Sequence, residues 1–238
     1  MAKVKLFCFP YAGGSTVIFN KWRQYLDTGI ELIPIELAGR GKRILEPLYG
    51  DVTAAIEDVY EIVSKIINGY PFAFFGHSMG AMISYQLCQK LHKMNLRSPV
   101  HVFFSGRSAP HINKPNDKKY HLLRDDEFKK EVINLGGTPP EFFNHPELLE
   151  VFLPLLKNDF KLAETDFFNN EINPLDCNIS VFFGKDENLT KEQCIGWKKH
   201  TKNICNIHYF EGGHFFINNE AEQILKIVNN TLLDGVNL

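Results

Sequence analysis

The chain has 238 residues, of which 44% are hydrophobic and 23% charged, and its formal net charge is −2. That composition supplies a sizeable core and excludes an intrinsically disordered chain. It also lacks the basic surplus by which nucleic acid or an anionic membrane surface is bound.

In chain order, "VKLFCF" (4–9) is the first short apolar run that reads as a buried strand, and the glycine-rich loop "PYAGGST" follows it. Similar runs are "IELIPI" (30–35), "FAFFG" (72–76), "VHVFFSG" (100–106) and "ISVFFG" (179–184), and a more alternating one is "ICNIHYF" (204–210). Runs this apolar suit a sheet covered on both faces. Helical periodicity lies between them. Val52, Ile56, Val59, Val63, Ile66 and Ile67 share one helix face, as do Gly80, Ile83, Ser84, Leu87, Cys88 and Leu91. The tail offers Ile224, Leu225, Val228 and Leu232. Alternating strands and helices predict a mainly parallel sheet with right-handed crossovers.

One region breaks the alternation. Residues 108–175 hold no good strand but two helical stretches. The first runs from Asp125 to Leu135, closed by Gly136 and Gly137; the second carries Leu149, Phe152, Leu153, Leu156 and Phe160 on one face, with Pro154 expected to kink or split it. With no linker-like tract or repeat, residues 1–238 are expected to form one domain with a helical insertion at about 108–175, either a lid or a decorative subdomain. Such an insertion should join the body at few points, be the most mobile part of the fold and gate the site beneath it.

The five cysteines, Cys8, Cys88, Cys177, Cys194 and Cys205, form no CxxC pair, and their odd number argues against a disulfide framework. No signal-peptide pattern opens the chain and no window approaches a membrane span. A reduced, cytoplasmic protein is expected, with no metal and no cofactor.

Chemistry concentrates at "FFGHSMGAM" (74–82). A sharp turn between a strand and a helix pushes a serine hydroxyl out of regular structure and frees the next amide N–H. The helix N-terminus then faces the developing negative charge. Gly76 and Gly80 supply the small flanking positions, so Ser78 is the candidate nucleophile and the N–H of Met79 a candidate oxyanion donor. The second donor is expected after the first strand, with Ala12 preferred and Tyr11 the alternative. "YAGGST" has neither the GxGxxG pattern nor a P-loop lysine, which argues against nucleotide binding.

A serine nucleophile needs a base, and the base an orienting acid. Of nine histidines, His214 in "FEGGHFF" sits in a glycine turn just past the sixth strand, where ligands gather in open α/β sheets. His77 reads as structural, His101 and His208 as core or surface, and His92, His121, His145 and His200 as solvated. His111 stands at the entrance of the insertion. In "VFFGKDENLT" the acid is expected to be Asp186, with Glu187 the alternative.

"LFCFPYAGGS", "LAGRGKR", "FFGHSMGA", "SGRSAPH", "LGGTPPE", "PLDCNISVFFGKDE" and "FEGGHFF" together resemble the stand-alone type II thioesterases of nonribosomal peptide and polyketide synthesis, from about Lys5 to about Leu233. The resemblance implies an α/β-hydrolase fold with helices on both faces of the sheet, a Ser78–Asp186–His214 triad and a lid after Pro110. It implies hydrolysis of acyl thioesters held on the phosphopantetheine arm of a carrier protein, which clears blocked or mis-primed carriers. The one departure is Ala38 in "LAGRGKR", where the family more often has proline.

Phe142, Phe143, Phe152, Leu153, Leu156 and Phe160 would shield an acyl chain, although most such residues simply pack a lid onto its body. Arg40 and Arg43 are candidates to meet a phosphate or an acidic carrier. So are Lys118, Lys119, Arg124, Lys129 and Lys130 of the insertion. The competing readings are a carboxylesterase or lipase acting on small free esters and a non-catalytic binding protein on a hydrolase fold. The expected state is a monomer without flanking carrier modules.

Overall fold

The computed structural model describes residues 4–67, 69–112, 118–137, 142, 145–165 and 172–234. Among them lie strands β1 (Val4–Phe9), β2 (Ile30–Pro34), β3 (Phe72–His77), β4 (His101–Ser105), β5 (Asn178–Gly184) and β6 (Cys205–Phe210). Each falls within one residue of the expected run at either end. The strands form one sheet in the order β2-β1-β3-β4-β5-β6, and every pairing is parallel. From β1 the chain steps outward to β2, then returns past β1 to lay down β3. The carboxyl ends of β1 and β3 therefore flank the point where the winding reverses, which is where open α/β sheets bind ligands.

Residue alternation explains the apolar strands. Phe7, Phe9, Phe72, Phe74, Phe104, Val181 and Phe183 point to one core. Leu6, Cys8, Ala73, Phe75, Phe103 and Phe182 point to the other. Helices α1 (Val52–Ser64) and α2 (Met79–Lys93) cover the first face through Val59, Val63, Ile83 and Leu87. A 3-10 segment over Thr16–Gln24 and helix α6 (Ala221–Asp234) cover the second through Phe19, Trp22, Ile224, Leu225 and Val228. Burying each phenylalanine stabilises the fold by about 1.5–3 kcal/mol. The abundance of phenylalanine is therefore chiefly a two-faced core.

The β4–β5 connection holds helices α3 (Asp125–Leu135) and α4 (Pro146–Ala163); α5 (Lys191–Ile195) follows β5. Helix α3 ends at Gly136, with φ 78°, as its sequence predicts. Pro154 does not split α4, which runs unbroken across it. Proline removes one N–H from the ladder, but Leu149, Leu153 and Leu156 stay buried on one face, and that packing carries the helix through the gap.

The second half of α4 is also fastened to the body more firmly than expected. Asp159 pairs with Arg40, Asn158 Nδ2 donates to the Tyr49 carbonyl at 2.8 Å, and Lys161 Nζ donates to the Gly50 carbonyl at 2.9 Å. Arg107 donates to the Ala163 carbonyl at 2.8 Å. Phe143 lies outside the described residues. Among those described, no helix is long and apolar enough to cross a membrane.

His101 and His200 are both buried in the body. His101 Nε2 meets Ser180 Oγ at 2.9 Å. His200, expected in solvent, is 2% exposed between Tyr85 Oη (2.9 Å) and His111 Nδ1 (2.8 Å). Its helical neighbours are polar, but the 3-10 turn over Gly196–His200 aims it inward beside Trp197. Burial pushes each from the ordinary 6.5 to about 4, helped by His208 at His101 and by His111 and Lys199 at His200. Between those values the unfolded chain binds more protons than the folded one. Their contribution to stability is therefore fully present above pH 6.5 and falls away as pH drops toward 4. Urea midpoints at pH 7.5 and pH 5 should show the lower value at pH 5, and His101→Gln should flatten that difference. Equal midpoints would refute the assignment.

Candidate active site

The turn after β3 is strained. Ser78 adopts φ 55° and ψ −108°, a region that L-residues seldom visit. Its N–H is held by the Ser105 carbonyl at 2.7 Å, across from the end of β4. Helix α2 begins at Met79, whose N–H, in the first turn, has no acceptor within the helix.

Both glycines are sterically required. A Cβ on Gly76 would sit 2.1 Å from the Gly80 carbonyl oxygen. A Cβ on Gly80 would sit 2.1 Å from the Phe9 carbonyl oxygen and 2.8 Å from that of Pro10. Gly80 thus lets the start of α2 press against the end of β1, bringing Met79 toward the loop that carries Tyr11 and Ala12. Gly80→Ala must push that helix end away and should cost about 3 kcal/mol. Chemical denaturation would read this, and a loss under 0.5 kcal/mol would show that the contact yields freely.

His214 follows β6 in the glycine turn, with its side chain one-third exposed. Its Nδ1 lies 2.7 Å from Glu187 Oε1, and Glu187 Oε2 accepts the Gly184 N–H at 2.8 Å. The Glu187 carboxylate is nearly buried, at 7% side-chain exposure, so both oxygens are engaged. A carboxylate accepts, so Nδ1 carries the proton, and the neutral ring presents Nε2 as a base.

Asp186, the expected acid, is exposed and meets the site only through its backbone N–H, 3.0 Å from the Gly212 carbonyl. The reason is the turn after β5. The Glu187 N–H bonds back to the Gly184 carbonyl at 3.2 Å, which folds the fourth residue of the turn inward and leaves the third outside. A glutamate then has the length to bridge Gly184 and His214.

Ser78, Glu187 and His214 line one cavity of about 360 Å³, with Met82, Tyr85, Phe160 and Trp197 on its apolar walls. Lys118, Lys119 and Glu164 contribute to its polar side. Beneath His214 lies His77, fully buried, with ring centroids 5.1 Å apart and its Nδ1 2.8 Å from Ser105 Oγ. Burial first, and the neighbouring His214 second, push His77 well below its ordinary range, so it stays neutral as a structural floor. Gly106 permits this close approach, since a Cβ there would lie 2.6 Å from His77 Cε1 and 3.2 Å from His214 Cε1.

Other candidates resolve differently. Ala12 is half-buried and packs against both the body core and the α4 cluster. Tyr11 sets its ring edge-on to His77 and Phe215. His121, expected in solvent, is partly buried, with Nδ1 2.5 Å from Glu164 Oε2. Neither loop arginine is available to a phosphate. Arg40 is buried on Asp159, and Arg43 is engaged by Asp58 and Glu46. Ala38 uses the N–H that a proline would lack, donating it to Tyr49 Oη at 3.0 Å. Lys118 pairs with Glu131 at 2.6 Å, and Lys119 Nζ donates to the Glu164 carbonyl at 2.8 Å.

A sheet wound this way, with a strained serine at the turn leaving its third strand, is that of an α/β-hydrolase. Residues 4–232 match the thioesterase domain family. The chain belongs to that family and is a serine-based thioester hydrolase. It is 39% identical over 235 residues to a Brevibacillus parabrevis protein called linear gramicidin dehydrogenase LgrE, covering 97% of this chain and 88% of that one. It is 36% identical over 229 residues to the gramicidin S biosynthesis protein GrsT of Aneurinibacillus migulanus, covering 95% and 88%. Among solved structures, ClbQ from the colibactin NRPS/PKS pathway superposes with a TM-score of 0.92 at 34% identity over 98% of both chains. The first name contains the word dehydrogenase; the loop after β1, "PYAGGST", does not have the GxGxxG spacing of a dinucleotide fingerprint.

Proposed function

We propose that the protein hydrolyses acyl thioesters presented on the phosphopantetheine arm of a carrier protein in peptide or polyketide assembly. The observation that carries this is the His214–Glu187 pair sharing one cavity with the strained Ser78. Kinship to GrsT and ClbQ supports the setting, because their names place them in such assembly.

Ser78 Oγ attacks the thioester carbonyl while His214 Nε2 takes its proton. Glu187 holds the ring and offsets the imidazolium charge. The N–H groups of Met79 and Ala12 receive the oxyanion. The C–S bond breaks, His214 returns the proton to the thiolate, and the thiol leaves with the carrier. Water, activated by the same histidine, then releases the carboxylic acid and restores Ser78. The cavity wall of Met82, Tyr85, Phe160 and Trp197 would receive the acyl group.

The test is a comparison of kcat/KM for one acyl group on carrier protein, on coenzyme A and on p-nitrophenol. The carrier thioester should be preferred at least tenfold. Equal or better turnover of the free ester would make the protein a carboxylesterase, and no turnover of any substrate would leave a binding protein. Charge reversal at Lys118 and Lys119, on the polar side of the cavity, should weaken carrier turnover roughly tenfold, in keeping with the size of steering effects. It should spare the small ester; equal effects on both would place these lysines outside carrier docking.

A further inference from the structure

Helix α4 presents one stripe, Phe152, Leu156 and Asp159, to the loop after β1. Gly13 in that loop has φ 77°, and a Cβ there would lie 2.7 Å from Leu156 Cδ1 and 3.2 Å from Phe152 Cζ. The Gly13 N–H donates to Asp159 Oδ2 at 2.7 Å. The Gly14 N–H closes a turn onto the Tyr11 carbonyl at 2.9 Å, with Ala12 and Gly13 inside it. A positive φ at the third residue is what such a turn needs.

Asp159 is itself clamped. Arg40 Nη1 donates to Oδ2 at 2.6 Å and Nη2 to Oδ1 at 2.7 Å, while Nη1 also reaches the Gly14 carbonyl at 3.1 Å. Asp159 is 0% exposed and Arg40 3%. The pair therefore grips the turn by one N–H and one C=O. For packing alone, two apolar side chains would serve with less desolvation cost. What they could not do is hold the Gly13 amide.

The geometry points to Asp159, carried by the insertion, as a positioning residue for the oxyanion turn, so that the Ala12 donor is in place only while α4 is seated on the body. This rests on the reading of Ala12 as an oxyanion donor in a serine thioesterase. If α4 lifts, Asp159 leaves Arg40 and Gly13 together, and the turn loses its outer tether. Seating of the insertion and assembly of the oxyanion site become one event, which keeps an open enzyme from activating Ser78 chemistry in bulk water.

The test is the double variant Arg40→Met/Asp159→Leu, which removes both charges at once and leaves no lone buried ion. With circular dichroism unchanged, kcat on acyl-coenzyme A should fall about 100-fold, the usual size of a lost oxyanion donor, while KM stays within threefold. Inhibition by an alkyl trifluoromethyl ketone, whose adduct on serine carries an oxyanion, should weaken by the same factor as kcat/KM. The neutral pair Arg40→Gln/Asp159→Asn keeps an acceptor for Gly13 and should retain kcat within about tenfold of wild type. Should the apolar pair fail to fold, Arg40→Gln/Asp159→Ser, too short to reach Gly13, replaces it with the same expected losses.

A folded variant lacking the acceptor that keeps kcat within threefold of wild type overturns the proposal. So does a loss that matches a reduced fraction of active enzyme by burst titration. Wild-type enzyme inert toward every thioester would instead overturn the functional reading, and the ketone comparison would still report on the turn.

Discussion

Replacing Ser78 with alanine will abolish thioester hydrolysis, by roughly 10,000-fold or more, and will leave a folded protein of nearly unchanged stability. The two halves of this expectation have one cause. Ser78 is held at φ 55° and ψ −108° by the Ser105 carbonyl and by the start of α2. Its side chain makes no hydrogen bond that caps α2, so the hydroxyl contributes little to the fold. The strain belongs to the backbone and persists in alanine. The chemistry belongs to Oγ and does not. His214→Ala should fall nearly as far, because nucleophile and base act as a unit. The measurement is single-turnover release of acid from an acyl-carrier, with thermal melts on the same samples. Ser78→Ala activity within tenfold of wild type, from protein purified free of host esterase, would remove Ser78 from the reaction.

The strands and the nucleophile turn were legible in the sequence for physical reasons. Strands buried on both faces must be apolar throughout, so "FAFFG" and "ISVFFG" announce themselves without any partner. Gly76 and Gly80 are legible because the turn admits no side chain at either position, and that constraint is local. What stayed hidden depended on distant residues. Asp159 on an amphipathic helix reads as a solvated carboxylate until Arg40, 119 positions away, is folded against it. His200 reads as exposed until Tyr85 and His111 enclose it. Arg40 and Arg43 looked available for a phosphate because a sequence shows charges but not their counter-charges. The seating of α4 was underestimated for the same reason. Gly136–Gly137 and Pro154 mark helix ends and kinks, whereas the anchors from Asn158, Lys161 and Ala163 use the body's carbonyls and a guanidinium that no local pattern reveals.

The acid is the sharpest case, because "KDE" offers two adjacent carboxylates and only the turn decides between them. Asp186→Asn should leave kcat/KM within about threefold of wild type, since its side chain is exposed and only its backbone N–H is used. Glu187→Gln should lower kcat by roughly 1,000-fold or more, the scale seen when a triad histidine is held in the wrong tautomer. The mechanism is specific. The amide oxygen of glutamine will take the Gly184 N–H, which leaves its NH2 facing His214 Nδ1. That nitrogen must then accept, the ring proton moves to Nε2, and the histidine can no longer take the serine proton. Glu187→Asp should fall between the two, because the shorter chain keeps the charge but cannot span Gly184 and His214, now bridged at 2.8 and 2.7 Å. Steady-state rates of the three variants on one acyl-coenzyme A substrate decide the matter. If Asp186→Asn proves more damaging than Glu187→Gln, the orienting acid is Asp186 after all, and the turn must rearrange in the working enzyme to bring it to His214.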